Sequence, residues 1–415
     1  MEGVSGHHFS VAEVLIKQHD DDSSPYTIDI VGNRKKEWVS ALNKTNNSHN
    51  LLPHFDTYFY QYYEKYRPLA EFNGYIAKLG GEYYRAIHSY CKLNQLVIVL
   101  YPTINWEHAN ALTYALTKVS GVFPQVPVIH CVCLMASPGD SQHSDQRTIR
   151  HWLNSKFSIN NLLRQKSVML FASDAETAQR YQELLSLPKP LPIHPCLLGD
   201  WKEQCNTASK PVAGRNKALK ITLYCGDAKP SKGFLELPAI LKQLLLDLRK
   251  NVEIWIQYTV TGHDSRITAA SNKLDEIASV DSRVRIHKGY WQDATLHENL
   301  RGTDYFVFSY DLNTYAHKTS GLLWLAAWHH LTIVCFGHSW LTREAARLDV
   351  TTLITSPDKI AATIDNHQLK PITMYPVDNS NAQSQVYRKQ LYRPFTDWFA
   401  DITTKSAKEL SSINA

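Results

Sequence analysis

Residues 219–260, "LKITLYCGDAKPSKGFLELPAILKQLLLDLRKNVEIWIQYTV", decide the fold. The β-branched and aromatic run at 219–226 reads as a strand that ends at Gly226. Apolar residues at helical spacing then predict a helix over 233–250, opened by Gly233. "VEIWIQYTV" (252–260) is a second strand, apolar almost throughout, as a strand covered on both faces must be. Strand, helix and strand in succession make a crossover unit, and such a unit pairs its strands in parallel.

The same alternation continues toward the C-terminus. It predicts a helix near 265–279, a strand at 284–289, a helix at 294–302 and a strand at 304–310. A buried helix from Gly321, a strand at 331–336 and another within 350–354 follow. Toward the N-terminus, strand-like runs lie at 27–32, 95–101, 126–134 and 167–173, with helical stretches at 106–119 and 174–187. Between the two series, "LPKPLPIHPC" is dense in proline and residues 199–218 are polar, the composition of a linker. At 415 residues the chain is too long for one ordinary core. The expected architecture is therefore α/β, with two Rossmann-like domains over 1–198 and 219–384, joined by 199–218. The tail at 385–415 carries one or two amphipathic helices kinked at Pro394.

Composition narrows the function. An apolar fraction of 44% with 20% charged residues is that of a globular chain, not a disordered one. A net charge of +5, spread along the length, favours anionic small ligands and is too weak for nucleic acid. Seven scattered cysteines form no paired framework, which suggests reduced, buried thiols and a cytoplasmic location. Cys131 and Cys133 share one strand face but lack two further metal ligands, so they read as core thiols. No run of about 18 apolar residues spans a membrane, and the N-terminus is not a signal peptide.

Parallel sheets bind ligands beyond the carboxyl ends of their strands, where loops lead into helices. Two such loops carry chemistry. The first follows the strand at 219–226 and holds Gly226, Lys229, Lys232 and Gly233. The second follows the strand at 304–310 and holds Tyr315, His317, Lys318, Thr319, Ser320 and Gly321. Ammonium groups beside a helix start attract phosphate. Capping explains the hydroxyls of Thr319 and Ser320, but not the lysine and glycine beside them.

These loops resemble the C-terminal half of GT-B glycosyltransferases, nearest to their retaining family-4-like group. The residues that carry the resemblance are Gly226 to Gly233 and the run Tyr310-Asp311 to Ser320-Gly321. Gly6, His7 and His8 are similar to the Gly-His-His opening loop of some of these enzymes. The resemblance implies two domains facing a cleft, with a C-terminal helix that crosses back to the first. It implies a donor site for a nucleotide-diphosphate sugar in 219–384 and an acceptor site, including Gly6, His7 and His8, in 1–198. The acceptor would be a glycan or a lipid-linked molecule, and transfer would retain configuration.

Lys232 and Lys318 would stabilise the departing diphosphate in place of a metal, and no cofactor is called for beyond the donor itself. Aligned on Ser320 and Gly321, His317 and Leu325 stand where the group commonly carries two glutamates. Two other readings stay open: a catalytically silent sugar-nucleotide-binding or scaffold subunit, and a sugar-nucleotide epimerase. The aromatic run at 57–69 reads first as a packed helical stripe, with peripheral docking on lipid headgroups as its alternative.

Overall fold

The computed structural model describes residues 11–13, 15–16, 27–34, 37–42, 50–57, 69–93, 96–123, 128–139, 146–165, 167–196, 218–291, 293–369, 382–395, 397–402 and 404. Contacts divide the chain into two compact units, Met1–Lys202 with Gln390–Ala415, and Glu203–Lys389.

The first unit contains β1 (Asp29–Asn33), α1 (Glu37–Leu42), β2 (Asn50–Phe55), α2 (Leu69–Cys91), β3 (Val97–Tyr101), α3 (Trp106–Val122), β4 (Val128–Leu134), α4 (Gln146–Leu163), β5 (Val168–Ala172) and α5 (Ala175–Leu185). Strands β1 and β2 form a parallel pair, and β3-β4-β5 a separate parallel sheet. Strand β4 is buried along its whole length, which is why its sequence shows no polar alternation. Val128, Val132 and Leu134 face the core built with α3 and α5, whereas Ile129, Cys131 and Cys133 face the other way. That second face is covered by Phe395, Trp398 and Ile402 together with Val11. The chain thus returns to the unit in which it began.

The six described cysteines are all buried free thiols. No described helix is long and apolar enough to cross a membrane.

The second unit contains β6 (Leu219–Tyr224), α6 (Leu237–Asp247), β7 (Val252–Tyr258), α7 (Ser265–Val280), β8 (Val284–Lys288), α8 (Asp293–Arg301), β9 (Tyr305–Phe308), α9 (Gly321–Trp328), β10 (Thr332–Cys335), α10 (Trp340–Arg347), β11 (Thr352–Ile354) and α11 (Ile360–Asn366), after which α12 (Ala382–Leu391) leads out. Its six strands pair in parallel in the order β11-β10-β9-β6-β7-β8. The chain winds outward from β6 to β8, then returns to the other side of β6 to lay down β9, β10 and β11. Between β6 and β9 the winding reverses. In doubly wound sheets this is where a crevice opens.

One local expectation needs correcting, and one strand arises where the sequence suggested none. Gly233 does not open a helix. It closes a 3₁₀ turn, Pro230–Lys232, with φ of 75°, and α6 starts only at Leu237, with Pro in its first turn. Strand β2 carries Pro53, which a central strand could not accept but the edge of a two-stranded pair can.

Candidate functional site

The loops after β6 and β9 are stitched together. Ser309 Oγ donates to the Lys232 carbonyl at 3.0 Å, and the Asp311 amide donates to the Ser231 carbonyl at 3.0 Å. Gly226 has φ of 112°, and its amide donates to Gln257 Oε1 at 2.8 Å. A Cβ at Gly226 would lie 3.0 Å from the Lys232 ammonium group, so the missing side chain leaves room for that charge.

Two lysines flank a tyrosine pair. The Tyr310 and Tyr315 rings lie 4.4 Å apart between centroids. The Lys232 ammonium group sits 5.8 Å from the Tyr310 ring, and that of Lys318 sits 5.3 Å from the Tyr315 ring. Burial pushes the Lys232 pKa down, the positive charges of Lys229 and Lys318 push it further, and Asp227 partly opposes them. Partial burial likewise lowers Lys318, with Lys229 adding repulsion. The contacting tyrosine rings between them hold both ammonium groups in one region. Neither Lys232 nor Lys318 forms an ion pair among the described residues.

Lys229 is different. Its ammonium group pairs with Asp227 Oδ2 at 2.8 Å, and the Tyr290 hydroxyl donates to Asp227 Oδ1. Burial alone would raise the Asp227 pKa, but these bonds and the nearby lysines hold it below the usual carboxylate range. The loop therefore presents one committed cation and one uncommitted cation where the sequence shows only two lysines.

In the second loop, Ser320 is the N-cap of α9 and is buried, yet its hydroxyl makes no capping bond. Gly321 is the first helical residue and Thr319 is half-buried beside it. The Tyr315 carbonyl accepts from the Trp340 amide at 3.1 Å, which fixes this loop against α10. From the first turn of α10, Arg343 Nη2 donates to the Ala316 carbonyl at 2.5 Å and to His317 Nδ1 at 3.3 Å. A guanidinium can only donate, so His317 Nδ1 accepts and a neutral ring carries its proton on Nε2. The acceptor nitrogen of His317 is thus already taken. Leu325 is buried in the core of the unit.

Arg343, Tyr290 and Gln257 are the polar groups that sequence reasoning missed. Asp264, in the loop after β7, is occupied in capping: it accepts from the Arg266 amide at 2.9 Å and pairs with the Arg266 guanidinium at 2.8 Å. Gly6, His7 and His8 lie outside the described residues, as does most of the aromatic run at 57–69.

The fold is that of the GT-B class: two α/β units with parallel sheets, the second doubly wound. Solved structures similar to this chain include three named for trehalose phosphate or its synthase. A UDP-forming α,α-trehalose-phosphate synthase from Burkholderia xenovorans, in complex with glucose-6-phosphate, matches at TM-score 0.58 and 10% identity, over 93% of this chain and 95% of that one. An α,α-trehalose 6-phosphate synthase from Burkholderia multivorans matches at TM-score 0.55 and 9% identity, over 94% and 100%. An E. coli trehalose-6-phosphate structure bound with UDP-2-fluoro glucose matches at TM-score 0.54 and 11% identity, over 92% and 99%. No family model matches the sequence, and no curated protein does. At such identities the likeness is one of fold.

Proposed function

We propose that this protein is a glycosyltransferase that moves a sugar from a nucleoside-diphosphate donor to a glycan or lipid-linked acceptor. The observation that carries this reading is the pair Lys232 and Lys318, both without an ion pair among the described residues, on the loops that leave β6 and β9 where the winding reverses. When the bond between the anomeric carbon and the phosphate oxygen breaks, its electron pair stays on the leaving diphosphate. Two fixed ammonium groups and the first N–H groups of α9 meet that charge where it develops. Residues 219–384 would hold the donor through Gly226, Lys232, Gly233, Tyr315, Lys318, Thr319, Ser320 and Gly321. Residues 1–198 would hold the acceptor. The ammonium pair supplies the charge that a divalent cation would otherwise bring, so turnover is expected to survive a chelator.

The test is a thermal-shift screen with nucleoside diphosphates and their sugars, followed by donor hydrolysis. A ligand at 100 times its Kd raises stability by about 2.7 kcal/mol. No shift with any nucleoside diphosphate would remove the reading. A shift without hydrolysis or transfer would favour a silent sugar-nucleotide-binding subunit. The buried Leu325 and the occupied His317 nitrogen support that second reading.

Asp227 competes with a diphosphate for Lys229. Asp227→Asn is therefore expected to tighten nucleoside-diphosphate binding roughly fivefold, the order of 1 kcal/mol that one partly screened charge contributes. Calorimetric titration of both proteins checks it, and weaker binding in the variant would assign Asp227 a direct role in the site.

A further inference from the structure

Helix α4 (Gln146–Leu163) in the first unit has an exposed face that carries apolar side chains. Ser155, Ser158, Ile159 and Leu162 point into the core. On the opposite side, Phe157 is 68% exposed and Leu153 is 54% exposed, one helical turn apart. Single exposed apolar residues need no explanation, but these two are flanked by charge of only one sign. Arg150 and Arg164 extend the same stripe and Lys156 borders it, all exposed. None of the three forms an ion pair among the described residues. Between Asp145 and Asp174 the sequence contains no acidic residue at all. Lys156 also lies 5.3 Å over the Trp152 ring, which anchors that cation at the edge of the face.

From this pattern we infer that α4 is a membrane-docking face, lying flat on an anionic lipid surface with Leu153 and Phe157 among the acyl chains and Arg150, Lys156 and Arg164 at the phosphate level. An apolar ridge bordered along its own helix by cations is the chemistry that recognises such a surface. A second copy of the chain is a poor occupant, because twofold pairing of this face would bring its cations against one another. An acidic protein partner would use the cations but leave the apolar ridge without an equivalent. The inference is independent of the glycosyltransferase reading, since it concerns a different face and another kind of ligand.

Co-sedimentation of the full chain with vesicles tests it. Vesicles of phosphatidylcholine mixed with phosphatidylglycerol are expected to carry the protein down, and vesicles of phosphatidylcholine alone are not. Raising the salt should release it. The double substitution Leu153→Glu with Phe157→Glu should weaken the partition at least tenfold. Arg150→Gln with Arg164→Gln should also weaken it at least tenfold, on anionic vesicles alone. Because all four side chains are exposed, circular dichroism and melting temperature should not change. Equal binding to both vesicle types, or unchanged binding after the double glutamate substitution, would overturn the inference. So would a dimer in sedimentation equilibrium that Phe157→Glu dissociates, with no vesicle binding by the native protein.

Discussion

Lys232→Ala is expected to slow sugar transfer about a hundredfold, the loss usual when one fixed donor to a developing negative charge is removed. Its thermal midpoint should stay level or rise slightly. The reason lies in the sign of the pKa shift. Burial and the neighbouring ammonium groups lower the Lys232 pKa from its usual 10.5, so folding disfavours the charged form. A lysine in that state weakens the fold while it is charged, and the penalty fades as pH rises past the lowered pKa. Removing the side chain removes the penalty at neutral pH. A bound diphosphate acts oppositely: it favours the charged form and draws protons in as it binds.

Nucleoside-diphosphate affinity should therefore fall as pH climbs through the lowered pKa values of Lys232 and Lys318, and both alanine variants should flatten that profile. Lys318→Ala should cost at least tenfold in turnover, less than Lys232→Ala, because its side chain is the more exposed. Turnover and melting temperature measured together decide the matter. Native turnover in Lys232→Ala would remove the lysine from the chemistry, and a collapsed melting temperature would make its role structural.

Gly233→Ala should be the most damaging single methyl group in the second unit. A Cβ there would fall 1.9 Å from the Ser309 carbonyl oxygen and 2.6 Å from the Ser309 hydroxyl. The obstacle is mainly backbone, so no side-chain rotation relieves it. The residue is also left-handed, with φ of 75°, which alone costs an L-residue about 1–2 kcal/mol. With overpacking added, the expected destabilisation is about 3–5 kcal/mol, read as a fall in the urea midpoint. Donor affinity should fall with it, because the same contact holds the β6 and β9 loops together. A variant as stable as the native chain would show that the two loops can part without cost.

The sequence made the strands of the second unit legible because β6, β7 and β9 are buried, and buried parallel strands read as unbroken apolar runs. Strand β2 was not legible, since Asn50, Pro53 and His54 break its pattern and its pairing tolerates them. Helix α4 also escaped, because its polar average hides two exposed apolar residues among basic ones. At the site, the lysines could be placed from their position after strands, which is a local signal. Their partners could not: Tyr290 meets Asp227 from sixty-three positions away, and Arg343 reaches His317 from a separate helix. No spacing rule encodes which charges are already satisfied. That depends on tertiary approach, and it separates Lys229 from Lys232.

The packing of Phe395, Trp398 and Ile402 onto the β3-β4-β5 sheet bears on how the protein is made. These side chains leave the ribosome only after all of Glu203–Lys389 has been synthesised. Until then the outward residues of β4 and β5, among them Ile129, Cys133 and Phe171, lack the aromatic part of their cover and, among the described residues, have only Val11 and Leu15 beside them, so the half that is translated first is the half that finishes last. A premature stop ahead of residue 395 would leave much of that surface uncovered, and such a fragment should need a chaperone to stay in solution.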